Sequence, residues 1–233
     1  ELIALINQRY ELVKGVGQWK EDNSSEIYVP EREKALLEKL EGINKGPLQN
    51  TTLRAIYREI MSGALALESP LVIAYLGPEN TFTHQVAISK FGRSVNYDPK
   101  NSIAQVFEAV EKGKASYGVV PIENSTEGAV TYTLDMFNNT ESKICAEMQL
   151  PVHHNIMSRA KKDELKVIYS HPQALAQCRL YLHNNFPALE QVEVRSTAEA
   201  ARRASLEDFS AAVASELAAE AYGLNILESS IED

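Results

Sequence analysis

The hydrophobic repeat of this chain changes once, at Ser69-Pro70, and that change limits it to an all-helical segment joined to an alternating α/β one. Before the change, apolar residues fall three and four apart. Leu2, Leu5, Ile6, Leu12, Val13 and Val16 form one stripe, which predicts an amphipathic helix over residues 2–19. A polar run over 21–26 interrupts it, Pro30 suits the first turn of a second helix carrying Leu36, Leu37 and Leu40, and Gly46-Pro47 marks the next turn. Thr51 or Thr52 can cap a third helix, which runs through Ile56, Ile60, Met61 and Leu65 to about Glu68. After the change, residues 71–76 form a short apolar run closed by Gly77-Pro78, the pattern of a buried strand. Residues 117–122, 166–169 and 210–215 read as further strands. Ser102 with Gln105, Ser170 with Gln173 and Ser196 with Glu199 have the spacing of capping boxes at the helices between them. The expected organisation is a helical domain over 1–68 and an α/β domain over 71–233.

A formal charge of −9 argues against a nucleic-acid partner, which would require clustered Lys and Arg. A small anion must therefore be held by local cations or helix N-termini, against the field of the whole molecule. No run approaches the roughly 20 apolar residues of a membrane span. The two cysteines, Cys145 and Cys178, do not make a disulfide framework, which points to a reducing compartment and a cytoplasmic location.

Several clusters carry the residue types that anion chemistry needs. Arg9 and Lys20 are eleven residues apart, close to three whole helical turns, so both project from one face and suit a dianion. Arg32 and Glu33 open the second helix, where a guanidinium could complete a carboxylate site. The same cations also fit a solvated face with surface ion pairs. In the second segment the run Val119 to Gly128 stops an apolar stretch at Pro121 and then offers Glu123, Asn124, Ser125 and Thr126 in succession. Asn80-Thr81-Phe82-Thr83-His84 and Ser170-His171-Pro172-Gln173, with Gln177 one turn on, likewise fall at element ends. Each such cluster can present N–H groups and hydroxyls to an anion, or can simply cap a helix. His153-His154 is not read as a metal pair, since adjacent side chains diverge.

In this order the clusters resemble prephenate dehydratase. The residues that carry the resemblance are Tyr75-Leu76-Gly77-Pro78 with Thr81-Phe82-Thr83-His84, Pro121-Ile122-Glu123-Asn124-Ser125 with Gly128, Leu150-Pro151-Val152-His153-His154, Ser170-His171-Pro172-Gln173 with Gln177-Cys178, and Ser196-Thr197-Ala198-Glu199. The helical segment, with Gln8-Arg9, Lys20 and Arg32-Glu33, is similar to chorismate mutase of the AroQ type. The resemblance implies an α/β domain of two lobes, like a type II periplasmic binding protein, behind an all-α mutase domain. It implies two reactions of phenylalanine biosynthesis, chorismate to prephenate and prephenate to phenylpyruvate, with both dicarboxylates as ligands and no cofactor or metal.

For the mutase, the resemblance implies that Arg9 holds a substrate carboxylate and Lys20 faces the ether oxygen. Arg32 and Glu33 support orientation, and Glu68 lies near that oxygen. Val29 and Ala64 stand where Asp and Ser are common. For the dehydratase it assigns Asn124, Ser170 and Gln177 to catalysis and Thr83, Glu123, Ser125, His171 and Thr197 to substrate binding. The family's mutase works as an intertwined homodimer that borrows an Arg from the start of the partner's first helix. That Arg, a Thr-Arg-Phe motif carrying the leading candidate for general acid, and a phenylalanine-sensing ACT domain are expected outside residues 1–233. The chain then reads as part of a longer enzyme with an incomplete dehydratase site. The competing reading is a module that binds a small carboxylate without transforming it, with the helices as a dimerisation segment.

Overall fold

The structure, a computed structural model, describes residues 1–22, 30–68, 71–124 and 128–233, with the side chains of 16–22, 30 and 31 excepted. Ser125, Val29 and the Lys20 side chain therefore lie outside the described residues.

The first segment forms three helices, α1 (Leu2–Asp22), α2 (Pro30–Ile43) and α3 (Asn50–Glu68), and both α1 and α2 pack on α3. Neither Thr51 nor Thr52 caps α3. The Asn44 side-chain amide closes the preceding turn on Leu48 O at 2.7 Å and Asn50 Oδ1 at 2.8 Å, so the helix begins earlier, with Leu53 N–H donating to Gln49 O at 2.9 Å. Tyr10 OH donates to Ile60 O at 2.9 Å and fixes the seam between α1 and α3.

Beyond Ser69-Pro70 the chain builds two lobes. The first contains β1 (Val72–Leu76), α4 (Phe82–Phe91), β2 (Asn96–Lys100), α5 (Ile103–Glu111) and β3 (Tyr117–Val119), with the three strands parallel in the order β2-β1-β3. Ile73, Ala74 and Tyr75 of the central strand are fully buried, with Phe91 and Val95 packed on one face and Val106 and Ala109 on the other. The strand predicted over 117–122 stops at Val119. Pro121 has no N–H to give a ladder, and its carbonyl accepts from Thr133 Oγ1 at 2.7 Å while Ile122 O accepts from Val130 N–H at 2.8 Å. The chain turns there into a short hairpin, β4 (Glu123–Asn124) and β5 (Gly128–Ala129), and then α6 (Thr131–Phe137).

The second lobe contains β6 (Asn155–Ser158), β7 (Val167–Ser170), α7 (Pro172–Gln177), α8 (Arg179–Asn185), β8 (Glu190–Glu193), α9 (Thr197–Ala204), β9 (Ser210–Ala214), α10 (Glu216–Tyr222) and β10 (Asn225–Glu228). Its sheet runs β10-β6-β9-β7-β8, with β7 parallel to β8 and β9, and β6 antiparallel to β9 and β10. Successive residues alternate between two cores. Ile156, Ile168 and Val213 join Leu175, Leu182 and Ile231 on one face, whereas Met157, Tyr169 and Ala212 join Ala200, Ala201 and Ala218 on the other. Among the described residues no helix is long and apolar enough to cross a membrane.

Candidate functional site

Strand direction brings the candidate residues of the second lobe to one edge. β7, β8 and β9 are parallel, so Ser170, Val194 and Ser215 all lie at or just past their carboxyl ends. β6 runs the other way with Asn155 opposite Ala214, which puts its first residue and His154 at that same edge. In the first lobe β1, β2 and β3 also end together. Two contacts join the lobes across these edges: Ser215 Oγ donates to Asn80 O at 3.4 Å, and the Phe82 ring meets the His154 ring edge-on with centroids 5.4 Å apart. Unpaired backbone at facing strand ends is where an α/β fold gathers ligand groups.

The helix starts at this edge are capped, though not always by the expected residue. Ser196 Oγ accepts from Glu199 N–H at 3.0 Å and Ser102 Oγ from Gln105 N–H at 3.3 Å, as their spacing predicts. The return bonds land one residue early, on Arg195 N–H at 3.3 Å and Asn101 N–H at 3.0 Å, so neither box closes on its own cap. Ser170 is not a cap. It is the last residue of β7, fully buried, and its Oγ donates to Val213 O at 2.7 Å; His171 caps α7 instead, its Nδ1 accepting from Gln173 N–H at 3.3 Å. Thr197 opens α9 and is buried, Thr83 lies in the first turn of α4, and Glu123 and Asn124 form β4.

Gln177 ends α7 with its Oε1 2.9 Å from His154 Nε2. Sequence reasoning quoted His154 within the motif Leu150-Pro151-Val152-His153-His154 and dismissed it as half of a metal pair, but gave it no role in the site. The two histidines differ: His153 is exposed with Nδ1 2.7 Å from Glu232 Oε1, whereas His154 is 2% exposed. Glu232 also accepts from His154 N–H at 2.8 Å, and Asp233 accepts from Leu180 N–H at 2.8 Å and Tyr181 N–H at 3.0 Å. The last residues thus strap segment 153–155 to the start of α8.

His84 is a second, partly buried imidazole. It stacks on Tyr75 at 4.6 Å and its Nδ1 accepts from Asn80 N–H at 3.0 Å, which holds Asn80 at φ 65° beside the lobe junction. Burial pushes both His84 and His154 below the usual imidazole value, outweighing Glu79 near the first and the Gln177 bond at the second. The unfolded chain then binds more protons than the fold once pH falls below roughly 6.5, so stability is complete above that value and declines beneath it. Thermal unfolding between pH 8 and pH 5.5 should show that loss, and the double variant His84→Gln with His154→Gln should flatten it.

In the helical domain Arg9 is partly buried with Nη1 enclosed and without a hydrogen-bond partner among the described residues. Arg32 is exposed, Glu68 ends α3 half-buried, and Glu33 lies 3.7 Å from Lys90 Nζ of the first lobe. A cavity of about 320 Å³ opens at the ends of β1 and β2, lined by Gly77, Pro78, Glu79, Lys100 and Tyr222 among others. No candidate residue lines it, and Lys100 is already paired with Asp98 at 2.7 Å, so it is poorly equipped for a dianion.

The prephenate dehydratase family model matches residues 73–233. The chain belongs to the prephenate dehydratase family. Residues 1–69 match the family model of chorismate mutase type II. A bifunctional chorismate mutase/prephenate dehydratase of Aquifex aeolicus is 44% identical over 238 residues, covering 100% of this chain and 66% of the relative. The namesake of Pseudomonas aeruginosa is 44% identical over 240 residues with the same coverage, so the chain spans 66% of the length of these relatives. Among solved structures, a prephenate dehydratase of Arthrobacter aurescens in complex with L-Phe superposes with a TM-score of 0.64 at 33% identity, covering 70% of this chain and 56% of that one. The helical domain with a prephenate dehydratase α/β domain behind it is the architecture implied by the sequence. The prephenate dehydratase match begins within β1, so every second-segment candidate lies inside it.

Proposed function

We propose that the chain carries both activities of its bifunctional relatives: rearrangement of chorismate to prephenate in the helical domain, and decarboxylation with dehydration of prephenate to phenylpyruvate between the two lobes. The observation that supports this best is the meeting of strand ends from both lobes, joined through Ser215–Asn80 and Phe82–His154, with Ser170, His171, Thr197 and Gln177 along one side. In the second reaction a carbon–carboxylate bond breaks, its electrons aromatise the ring, and hydroxide leaves with a proton from a neighbouring donor. Such a site must hold two carboxylates and supply hydrogen-bond donors at the departing oxygen. Asn124 and Gln177 are proposed donors, with Thr83, Glu123, Ser125, His171 and Thr197 around the ligand. Ser170 would then act by holding β7 to β9, since its hydroxyl hydrogen is already given to Val213 O.

We also propose a homodimer. α1 leaves Leu2, Ile3, Leu5 and Leu12 exposed, each above 60%, with Leu2, Leu5 and Leu12 on one side of the helix, an exposure that water does not favour. Chorismate incubated with the purified chain should yield prephenate, and sedimentation should give twice the chain mass. Tight binding with chorismate unconsumed would overturn the mutase assignment in favour of a binding module. Prephenate should be converted to phenylpyruvate at a full rate by a chain that also carries the Thr-Arg-Phe motif, and prephenate left unchanged by that chain would overturn the dehydratase assignment.

A further inference from the structure

A glutamine amide can sit either way round, presenting two N–H donors or a carbonyl acceptor, and which one Gln177 presents is decided by its neighbour. Gln177 is fixed at the backbone, where its carbonyl accepts from Asp233 N–H at 2.8 Å, and its Oε1 lies 2.9 Å from His154 Nε2. An amide oxygen only accepts, so Nε2 must carry the proton. The residue is also held in place at its backbone and ring. Its N–H donates to Glu232 Oε2 at 2.8 Å, its carbonyl accepts from Ile231 N–H at 2.9 Å, and the Phe82 ring closes against it. Nδ1 is enclosed without a partner among the described residues, so an imidazolium would bury an unpaired N–H, and the neutral Nε2–H form is favoured.

We infer that His154 is a positioning residue of the dehydratase site: its Nε2–H takes the Gln177 oxygen and so fixes which way round the Gln177 amide sits, with the NH₂ group turned away from the imidazole. The inference rests on the dehydratase reading for the substrate and on geometry alone for the orientation. An anion or a departing hydroxide requires donors, and with the amide reversed Gln177 would meet it with a carbonyl. Glu232 and the strap around it matter here because they hold the histidine that holds the glutamine.

The test combines kinetics with a readout that needs no turnover. His154→Leu removes the donor at similar volume and should lower kcat/KM for prephenate by about 10- to 100-fold, mostly in kcat, the range expected when a buried acceptor loses its donor. His154→Gln, which restores an N–H at that reach, should recover most of it. Gln177→Ala should cost as much alone as it does in combination with His154→Leu, because the two act through one amide. Losses that multiply, or a leucine variant within about twofold of the parent enzyme, would overturn the inference. Imidazole ¹⁵N NMR on the whole chain should give the Nε2–H tautomer at neutral pH, with the Gln177 side-chain amide resonances displaced in His154→Leu. An Nδ1–H tautomer or unmoved amide resonances would overturn it even if a parent protein that carries the Thr-Arg-Phe motif leaves prephenate untouched, an outcome that would sink only the dehydratase reading.

Discussion

Arg9→Ala should reduce kcat/KM for chorismate by about 10²- to 10³-fold while leaving prephenate turnover unchanged, a loss of the size measured when one preorganised charge-stabilising donor is removed. The rearrangement forms no covalent bond to the protein, so orientation of the two carboxylates and stabilisation of charge on the breaking ether are all that the site can contribute. Arg9 suits that task because its guanidinium is always charged, and Nη1 is enclosed without a partner among the described residues. The neighbouring Tyr10, bonded to Ile60 O, fixes this stretch of α1 against α3, which keeps the cation in place before substrate arrives. An enclosed Nη1 without a hydrogen-bond partner among the described residues costs stability, so the variant should unfold no more easily than the parent and its defect should be confined to catalysis. Arg9→Lys should recover only part of the rate, since an ammonium cannot make the paired bonds of a guanidinium. Parallel steady-state assays with chorismate and prephenate, alongside thermal unfolding, separate these effects. A mutase rate within a few-fold of the parent would make the helices a dimerisation segment and nothing more.

What the sequence disclosed was set by neighbours within about four residues. The change of period at Ser69-Pro70 and the caps at Ser102 and Ser196 are all local, and a chain that needs them must write them locally. Ser170 shows where that logic fails. Ser170 and His171 are adjacent cap-capable residues, and the choice between them depends on β7 extending one residue further so that Ser170 can reach Val213, 43 positions away. Two edge strands were also illegible. β2 and β8 pair on one side only and carry mostly partly exposed or exposed residues, so they lack the apolar run that gave β1 away. The candidate site was readable as a set of motifs in order, but its working arrangement was not. Gln177 meets His154 across 23 positions, and Glu232 meets it across 78, through strand pairing that no local spacing encodes.

Gly92→Ala should destabilise the protein by about 3 kcal/mol or more, lowering the melting temperature by about 6–12 °C for a chain of this size. Gly92 ends α4 at φ 74° and ψ −172°, a region that essentially only glycine occupies, and it is held there by donation from its N–H to Ile88 O at 2.8 Å and by the Tyr97 hydroxyl on its carbonyl. An added Cβ would lie 2.6 Å from Ser62 Oγ and nearer still to Ser62 Cβ. Ser62 belongs to α3, is 1% exposed, and accepts from Ser94 N–H at 3.0 Å, so the clash falls at the joint between the helical domain and the first lobe. Backbone strain and overpacking therefore add, each worth about 1–3 kcal/mol. Gly113 supplies the comparison, because its φ of 64° is also positive while nothing stands within 4 Å of a new Cβ. Gly113→Ala should cost only about 1–2 kcal/mol, and the excess at Gly92 reports its stricter backbone together with the packing at the joint. Adding Ser62→Gly to Gly92→Ala should return part of that difference by making room, at the expense of the Ser94 bond. Equal melting temperatures for the two alanine variants would mean that α3 does not press on the end of α4, and that the joint rests on polar contacts such as Ser62–Ser94, Glu59–Arg93 and Glu33–Lys90 without that steric support.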